Sequence, residues 1–285
     1  MWLWFYLGLL SYRSNKNGKR CELIGSNCEH FSSRYSCCLF RCWRHASLIY
    51  NARRTKEAIR RLSAAGIVPI LATGRPSYQL TGLDLEGFQA FVTINGQLCY
   101  TPERTLVERP LDKEDIAVVV DQVQHGLYDC LFMERDRFYV SGKGEREQRQ
   151  EKLIGVNYPV DDPARALEHD IFQLNVYLPP EDLHIIRDAT HNTKFAGWTD
   201  NFSDVMSRDG GKASGALEVL KQLGISPEKT IAFGDGGNDL ELFEVVGTSV
   251  AMGNANPEVL EQATMITDDV DHDGIYNACV RLGLI

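Results

Sequence analysis

Apolar positions along this chain follow two periods in alternation from about residue 55 onward. Thr55 caps a predicted helix through EAIRRLSAA, with Ile59 and Leu62 on one face and Gly66 as its stop. The run Ile67–Ala72 reads as a buried strand that breaks at Thr73-Gly74-Arg75-Pro76. Phe88–Ile94 is a second strand, closed by the turn signal Asn95-Gly96. Helix then strand, repeated, is the pattern of a parallel α/β sheet. Residues 98–197 change character: short strands CLFMER and RFYVS flank a turn at Asp136, FQLNVYL follows, and KEDIAVVVDQVQ and GEREQRQEKLIG read as charged helices. Hairpins mixed with helices indicate an α+β insert. The first pattern then returns, with a helix over Gly211–Gly224, the strand TIAFGD, the helix GNDLELFEVVG, the strand TSVAM, the helix NPEVLEQA and a last helix in DGIYNACVRLGLI. The expected organisation is a core from 51–97 and 198–285 with a cap from 98–197. The expected fold class is α/β, a Rossmann-like three-layer core on a parallel sheet plus an inserted α+β cap.

Composition alters this picture at one end. The 285 residues carry a net charge of -9, which argues against phosphate-backbone binding and predicts no nucleic-acid partner. No apolar run approaches the roughly 18 residues of a membrane span, so no membrane partner is expected. Residues 1–54, however, hold nine Lys or Arg against Glu22 and Glu29, and no Asp occurs before Asp84. Five of the eight cysteines (Cys21, Cys28, Cys37, Cys38 and Cys42) lie there, with Trp2, Trp4 and Trp43. A signal peptide lacks its basic start and cleavage site, and irregular cysteine spacing with no C-x-x-C argues against zinc. A disulfide framework requires a secreted setting that the rest of the chain does not support. The expectation is an aberrant or poorly ordered segment over 1–50. Residues 1 to about 45 are not expected to pack as the core's first strand, and proteolysis is expected to trim the chain to near Arg53. A threaded strand over part of it, around Ser36–Phe40, is foreseen, because an apolar run is easily accepted beside an open sheet edge.

Candidate chemistry falls at strand ends, where open α/β sheets bind ligands. Gly234–Asp239 (GDGGND) follows an apolar strand and precedes a helix. Asp235 and Asp239 are hard oxygen donors suited to Mg²⁺, and two acids, an asparagine and three glycines exceed what helix capping needs. Thr73 and Gly74 offer a hydroxyl and a backbone N–H to a phosphate oxygen, although a Thr-Gly pair is commonly only a turn. Lys212 opens a helix, where a cation opposes the dipole; it is either a solvent-facing lysine or the partner of an anion held at that helix end.

LATGRP, a lysine at a helix start and FGDGGNDLELFE, in this order, resemble the haloacid dehalogenase-like hydrolases, and most closely the Cof-type branch of sugar-phosphate phosphatases. INGQLCY, GNANPEVLEQAT and TDDVDHDGI look like the same branch, so the resemblance runs from about residue 53 to the end. It implies a Mg²⁺-dependent hydrolase of small phosphorylated metabolites acting through an aspartyl-phosphate, cytoplasmic, with the cap between the threonine and the lysine. By the same resemblance Thr73 and Lys212 are catalytic, Thr73, Gly74, Lys212 and Asn238 bind the phosphate or substrate, and Asp235 and Asp239 serve the metal. Arg75 braces its loop. P-type ion pumps share the GDG-x-ND signal but need membrane spans, which this chain lacks.

The family's first motif, two aspartates one residue apart followed by Gly-Thr, is missing upstream of the Thr55 helix. The chain as written therefore lacks the nucleophile, which leaves a dead phosphate-binding or structural remnant as the alternative. Codons for Phe40–Ala46 read one base later can encode Phe-Asp-(Val or Ala)-Gly-(Gly or Asp)-Thr-Leu, an aspartate at a strand end with glycine at the second acid position. Such a shift also accounts for the local excess of Cys, Trp and Arg.

Overall fold

The computed structural model describes residues 8–11, 22–25, 35–41, 53–197 and 200–285. In chain order the strands begin with β1 (Gly8–Ser11), β2 (Glu22–Gly25), β3 (Cys37–Arg41), β4 (Val68–Ala72) and β5 (Ala90–Thr93). Next come β6 (Leu98–Tyr100), β7 (Thr105–Glu108), β8 (Cys130–Met133), β9 (Phe138–Val140) and β10 (Gln173–Val176). The last are β11 (Thr193–Ala196), β12 (Ser203–Ser207), β13 (Thr230–Gly234), β14 (Thr248–Ala251) and β15 (Met265–Ile266). The helices are α1 (Arg53–Ala64), α2 (Lys113–Gln124), α3 (Glu145–Ile154), α4 (Arg165–Glu168) and α5 (His184–Arg187). After them follow α6 (Lys212–Gln222), α7 (Leu240–Val245), α8 (Pro257–Gln262) and α9 (Gly274–Arg281).

The chain divides into two compact units, one of residues up to Ala72 with Gly82–Phe91 and Leu220–Ile285, the other of Thr73–Thr81 and Val92–Val219. In the first, β15, β14, β13, β3 and β4 lie side by side in that order and run parallel. Strands covered on both faces read as continuous apolar runs, and β4 and the Ile231–Phe233 centre of β13 do. The α1 stripe of Ala58, Ile59 and Leu62 is buried and Gly66 ends the turn at φ 78°, as the pattern predicts, but the helix starts at Arg53, so Thr55 is buried in its first turn and does not cap it.

The middle strand is the threaded one foreseen around Ser36–Phe40. Cys37–Arg41 pairs with β13 on one side and β4 on the other, and Cys37, Cys38, Leu39 and Phe40 are each fully buried. Phe40 stacks on Phe233 at 5.1 Å between ring centroids and meets Phe88 edge-on at 5.8 Å. Ser36 donates to Lys229 O at 2.8 Å, and the Tyr35 hydroxyl lies 3.0 Å from Thr248 Oγ1. Four apolar side chains of moderate volume meet the demand of a two-sided slot, whatever their origin. The rest of the 1–50 segment, apart from β1 and its antiparallel partner β2, lies outside the described residues.

The second unit carries a five-stranded antiparallel sheet in the order β11-β12-β10-β8-β9, and the hairpin of β6 and β7. Helix α2 covers one face through Ile116, Val119, Val120 and Val123, which join Cys130, Phe132, Leu174 and Val205. The expected insert boundary at residue 197 falls one strand early. β12 still belongs to this sheet, with Leu174 opposite Val205, because 203–207 alternate in register with β10.

Candidate functional site

In the first unit, β13 ends at Gly234 and the chain turns through a single 3₁₀ turn, Gly237–Asp239, into α7. The turn is shaped by Asp239, which is fully buried. Its Oδ2 accepts N–H bonds from Asp235 at 3.0 Å and Gly236 at 3.3 Å. A Cβ on Gly234 would meet that carboxylate at 2.7 Å, so only glycine lets the strand end lie against it. Asp235 is half-buried, and its carbonyl accepts from Asn256 of the GNANP segment at 3.0 Å. Asn238 is half-buried on the same turn. The two predicted acids thus share one loop, Asp239 with one oxygen committed to the backbone. Among the described residues no group of three or more His, Cys, Asp or Glu converges on one point. Mg²⁺ is commonly held by one or two carboxylates, with water and substrate phosphate completing its shell, and a half-buried Asp235 braced by Asp239 fits that mode.

Register fixes what stands beside this loop. Phe40 pairs with Phe233 and Arg41 with Ala72, so the carboxyl ends of β3, β4 and β13 come level. Arg41 therefore closes the strand where the family resemblance implies an aspartate. The buried thiols of Cys37 and Cys38 are pushed well up by loss of solvent, which leaves them protonated and poor metal ligands.

In the second unit, Thr73 is fully buried. Its N–H donates to Val92 O at 2.7 Å and its Oγ1 accepts from Arg75 N at 3.0 Å. The loop's remaining donor groups are the hydroxyl of Thr73 and the N–H of Gly74. Arg75 O accepts from Ile94 N at 3.2 Å, which agrees with a bracing part for this residue. Lys212 is 3% exposed at the first position of the eleven-residue α6, so it is not a solvent-facing lysine.

The residue missed in the sequence is Asn95, read there only as half of a turn. It is 4% exposed and left-handed at φ 49°, and its N–H donates to Thr73 O at 3.1 Å. Its Nδ2 donates to Gln173 Oε1 at 2.9 Å and to Asp204 Oδ2 at 3.2 Å. Gln173 Nε2, at 3.2 Å, and Asn175 Nδ2 donate to the other oxygen of Asp204, so three amides answer one buried carboxylate. Gly96, at φ 83°, packs so closely on α6 that a Cβ would collide with Gly211 O and lie 3.1 Å from Gly215 Cα. The Gln97 amide fills the place a side chain on Gly210 would take. One turn therefore fixes both the Thr73 loop and the start of the lysine helix. The signal in the sequence was Asn-Gly directly after a strand, but the amides and the acid that answer it lie far along the chain.

The family model for haloacid dehalogenase-like hydrolase matches residues 50–279. A Bacillus subtilis (strain 168) protein, YkrA, named for a proposed phosphatase activity, is 31% identical over 237 residues, covering 81% of this chain and 90% of that one. A hypothetical protein of Geobacillus kaustophilus HTA426 has a similar fold, with a TM-score of 0.78 and 28% identity over 88% of this chain and 100% of the other. A solved subclass IIB sugar phosphatase superposes with a TM-score of 0.76 at 24% identity, again over 88% of this chain and 100% of its own. With its strand-end aspartate loop and its parallel sheet, this chain belongs to the haloacid dehalogenase-like hydrolases.

Proposed function

We propose that the intact form of this protein is a Mg²⁺-dependent phosphatase of small phosphorylated metabolites, and that the chain as written binds phosphate without hydrolysing its esters. The observation that carries this reading is the Gly234–Asp239 loop at the end of β13, in a chain of this family. Asp235 would hold the metal and Asp239 would keep the loop in shape for it. When bound, Mg²⁺ would neutralise charge between phosphate and protein carboxylates. Thr73 Oγ1 and Gly74 N–H would orient phosphate oxygens, Lys212 would offset their charge, and Asn238 would reach the phosphoryl group or the substrate. The insert 98–197 would act as the cap that selects the leaving group, in a cytoplasmic enzyme. No helix among the described residues is long and apolar enough to cross a membrane.

A second reading, a binding remnant with no catalytic past in this frame, is favoured by Arg41 at the end of β3 and by the absence of any aspartate before Asp84. Phosphate release from aryl and sugar phosphates with Mg²⁺, measured on the chain and on an Arg41→Asp/Trp43→Asp variant, separates the two. The expected result is no turnover by the chain, and turnover by the variant that Asp235→Ala abolishes. A variant that stays inert while folded favours the remnant. Turnover by the unaltered chain that Asp235→Ala removes requires another nucleophile and overturns the proposal.

A further inference from the structure

Far from these strand ends in sequence, helix α3 starts on Gly144, which has no side chain to cap it. Glu147 stands at the third helical position, with its carboxylate lying against that helix start. Glu147 is 1% exposed, and its Oε1 has no hydrogen-bond partner. A second carboxylate, Asp129, enters the same notch. A Cβ on Gly144 would lie 3.0 Å from Glu147 Oε2 and 3.4 Å from Asp129 Oδ2, and one on Gly142 would collide with Asp129 Oδ1. Two glycines thus make room for two acids side by side.

The surroundings do not neutralise both. Ser141 Oγ donates to Asp129 Oδ1 at 3.1 Å. Arg146, the cation that acts on Glu147 from its own helix, points Nη1 at the carbonyls of Asp200, 2.6 Å away, and Asn201, 3.2 Å away. Lys143 is paired with Glu151 at 2.7 Å and donates to Asn157 at 3.0 Å. Cys130, Tyr158 and Tyr177 also face this notch, and burial keeps each of them protonated. Like charges in a poorly solvated place cannot both ionise cheaply. Burial first, and then Asp129, push Glu147 up to about 7.

We propose that Glu147 keeps its proton beside Asp129 in mild acid, and that its loss loosens the first turn of α3, making this helix a pH-sensitive clasp on the second unit. A carboxyl group raised in the folded state gives stability that is complete below its unfolded pKa and lost as pH rises through the folded value. The clasp is therefore closed in mild acid and slack above neutrality.

Amide hydrogen exchange of residues 148–153 in the full chain, corrected for intrinsic rates, tests this between pH 5.5 and 8.0. Protection is expected to fall about tenfold across that window, the equivalent of one pKa unit. Glu147→Gln should hold protection constant across the window, because the amide is neutral throughout. Constant protection in the unaltered chain, or an unchanged fall in Glu147→Gln, overturns the proposal. If Glu147→Gln fails to fold, Asp129→Asn decides through carboxyl NMR: a downward shift of the Glu147 titration supports the proposal, and an unmoved titration refutes it.

Discussion

Asn95 combines a left-handed backbone with a side-chain amide that donates to two buried acceptors on the antiparallel sheet. Replacing it with alanine removes a donor from the buried Asp204, and a buried acceptor deprived of its partner costs about 1–3 kcal/mol. Urea unfolding of Asn95→Ala should show that loss, and Asn95→Asp should cost more, because it sets a second carboxylate against Asp204. Lys212 behaves differently under substitution. Lys212→Ala should abolish most binding of inorganic phosphate in calorimetry while the fold survives, and unchanged affinity would remove the lysine from the site. Both residues were visible in the sequence, but not equally. Lys212 announced itself as a cation at the wrong end of a helix, whereas Asn95 looked like turn chemistry. Its partners Gln173, Asn175 and Asp204 sit on strands whose pairing no local pattern encodes.

Most elements follow their local pattern closely, as α2 does over the residues KEDIAVVVDQVQ and α3 does up to Gly155, left-handed at φ 69°. The hairpin of β6 and β7 was not read, because Thr101–Arg104 lacks a two-residue turn signature and its strands are short. β3 is the instructive element. Basic residues and cysteines around it argued against a native first strand, a threaded Ser36–Phe40 was foreseen, and CCLF alone satisfies a slot covered on both faces. Leu39→Ala should therefore cost about 2–5 kcal/mol in denaturant unfolding, as in any fully packed core. The thiols of Cys37 and Cys38 should resist a disulfide reagent until the chain unfolds. Limited proteolysis should leave a fragment that starts near Tyr35, not near Arg53; trimming to Arg53 with the core still folded would show that β3 is dispensable.

Over the whole molecule, a net charge of -9 repels anions at long range, so phosphate affinity has to come from a few local groups. Magnesium faces the opposite balance. With Asp235 as the half-buried carboxylate and Arg41 ending the neighbouring strand, calorimetry should detect only weak Mg²⁺ binding alongside measurable phosphate binding. Arg41→Asp/Trp43→Asp should strengthen the metal and turn on hydrolysis together. If it strengthens neither, the chemistry implied by the family does not hold here, although the fold does. The slot between β4 and β13 explains how shape and chemistry come apart. Backbone pairing and greasiness admit many pentapeptides there, while the hydrolysis we propose for the intact form would hinge on the single side chain that closes the strand. A census of enzymes drawn up by silhouette would count this chain among the living; one that reads the last letter of that strand would ask first whether its gene had lost a base.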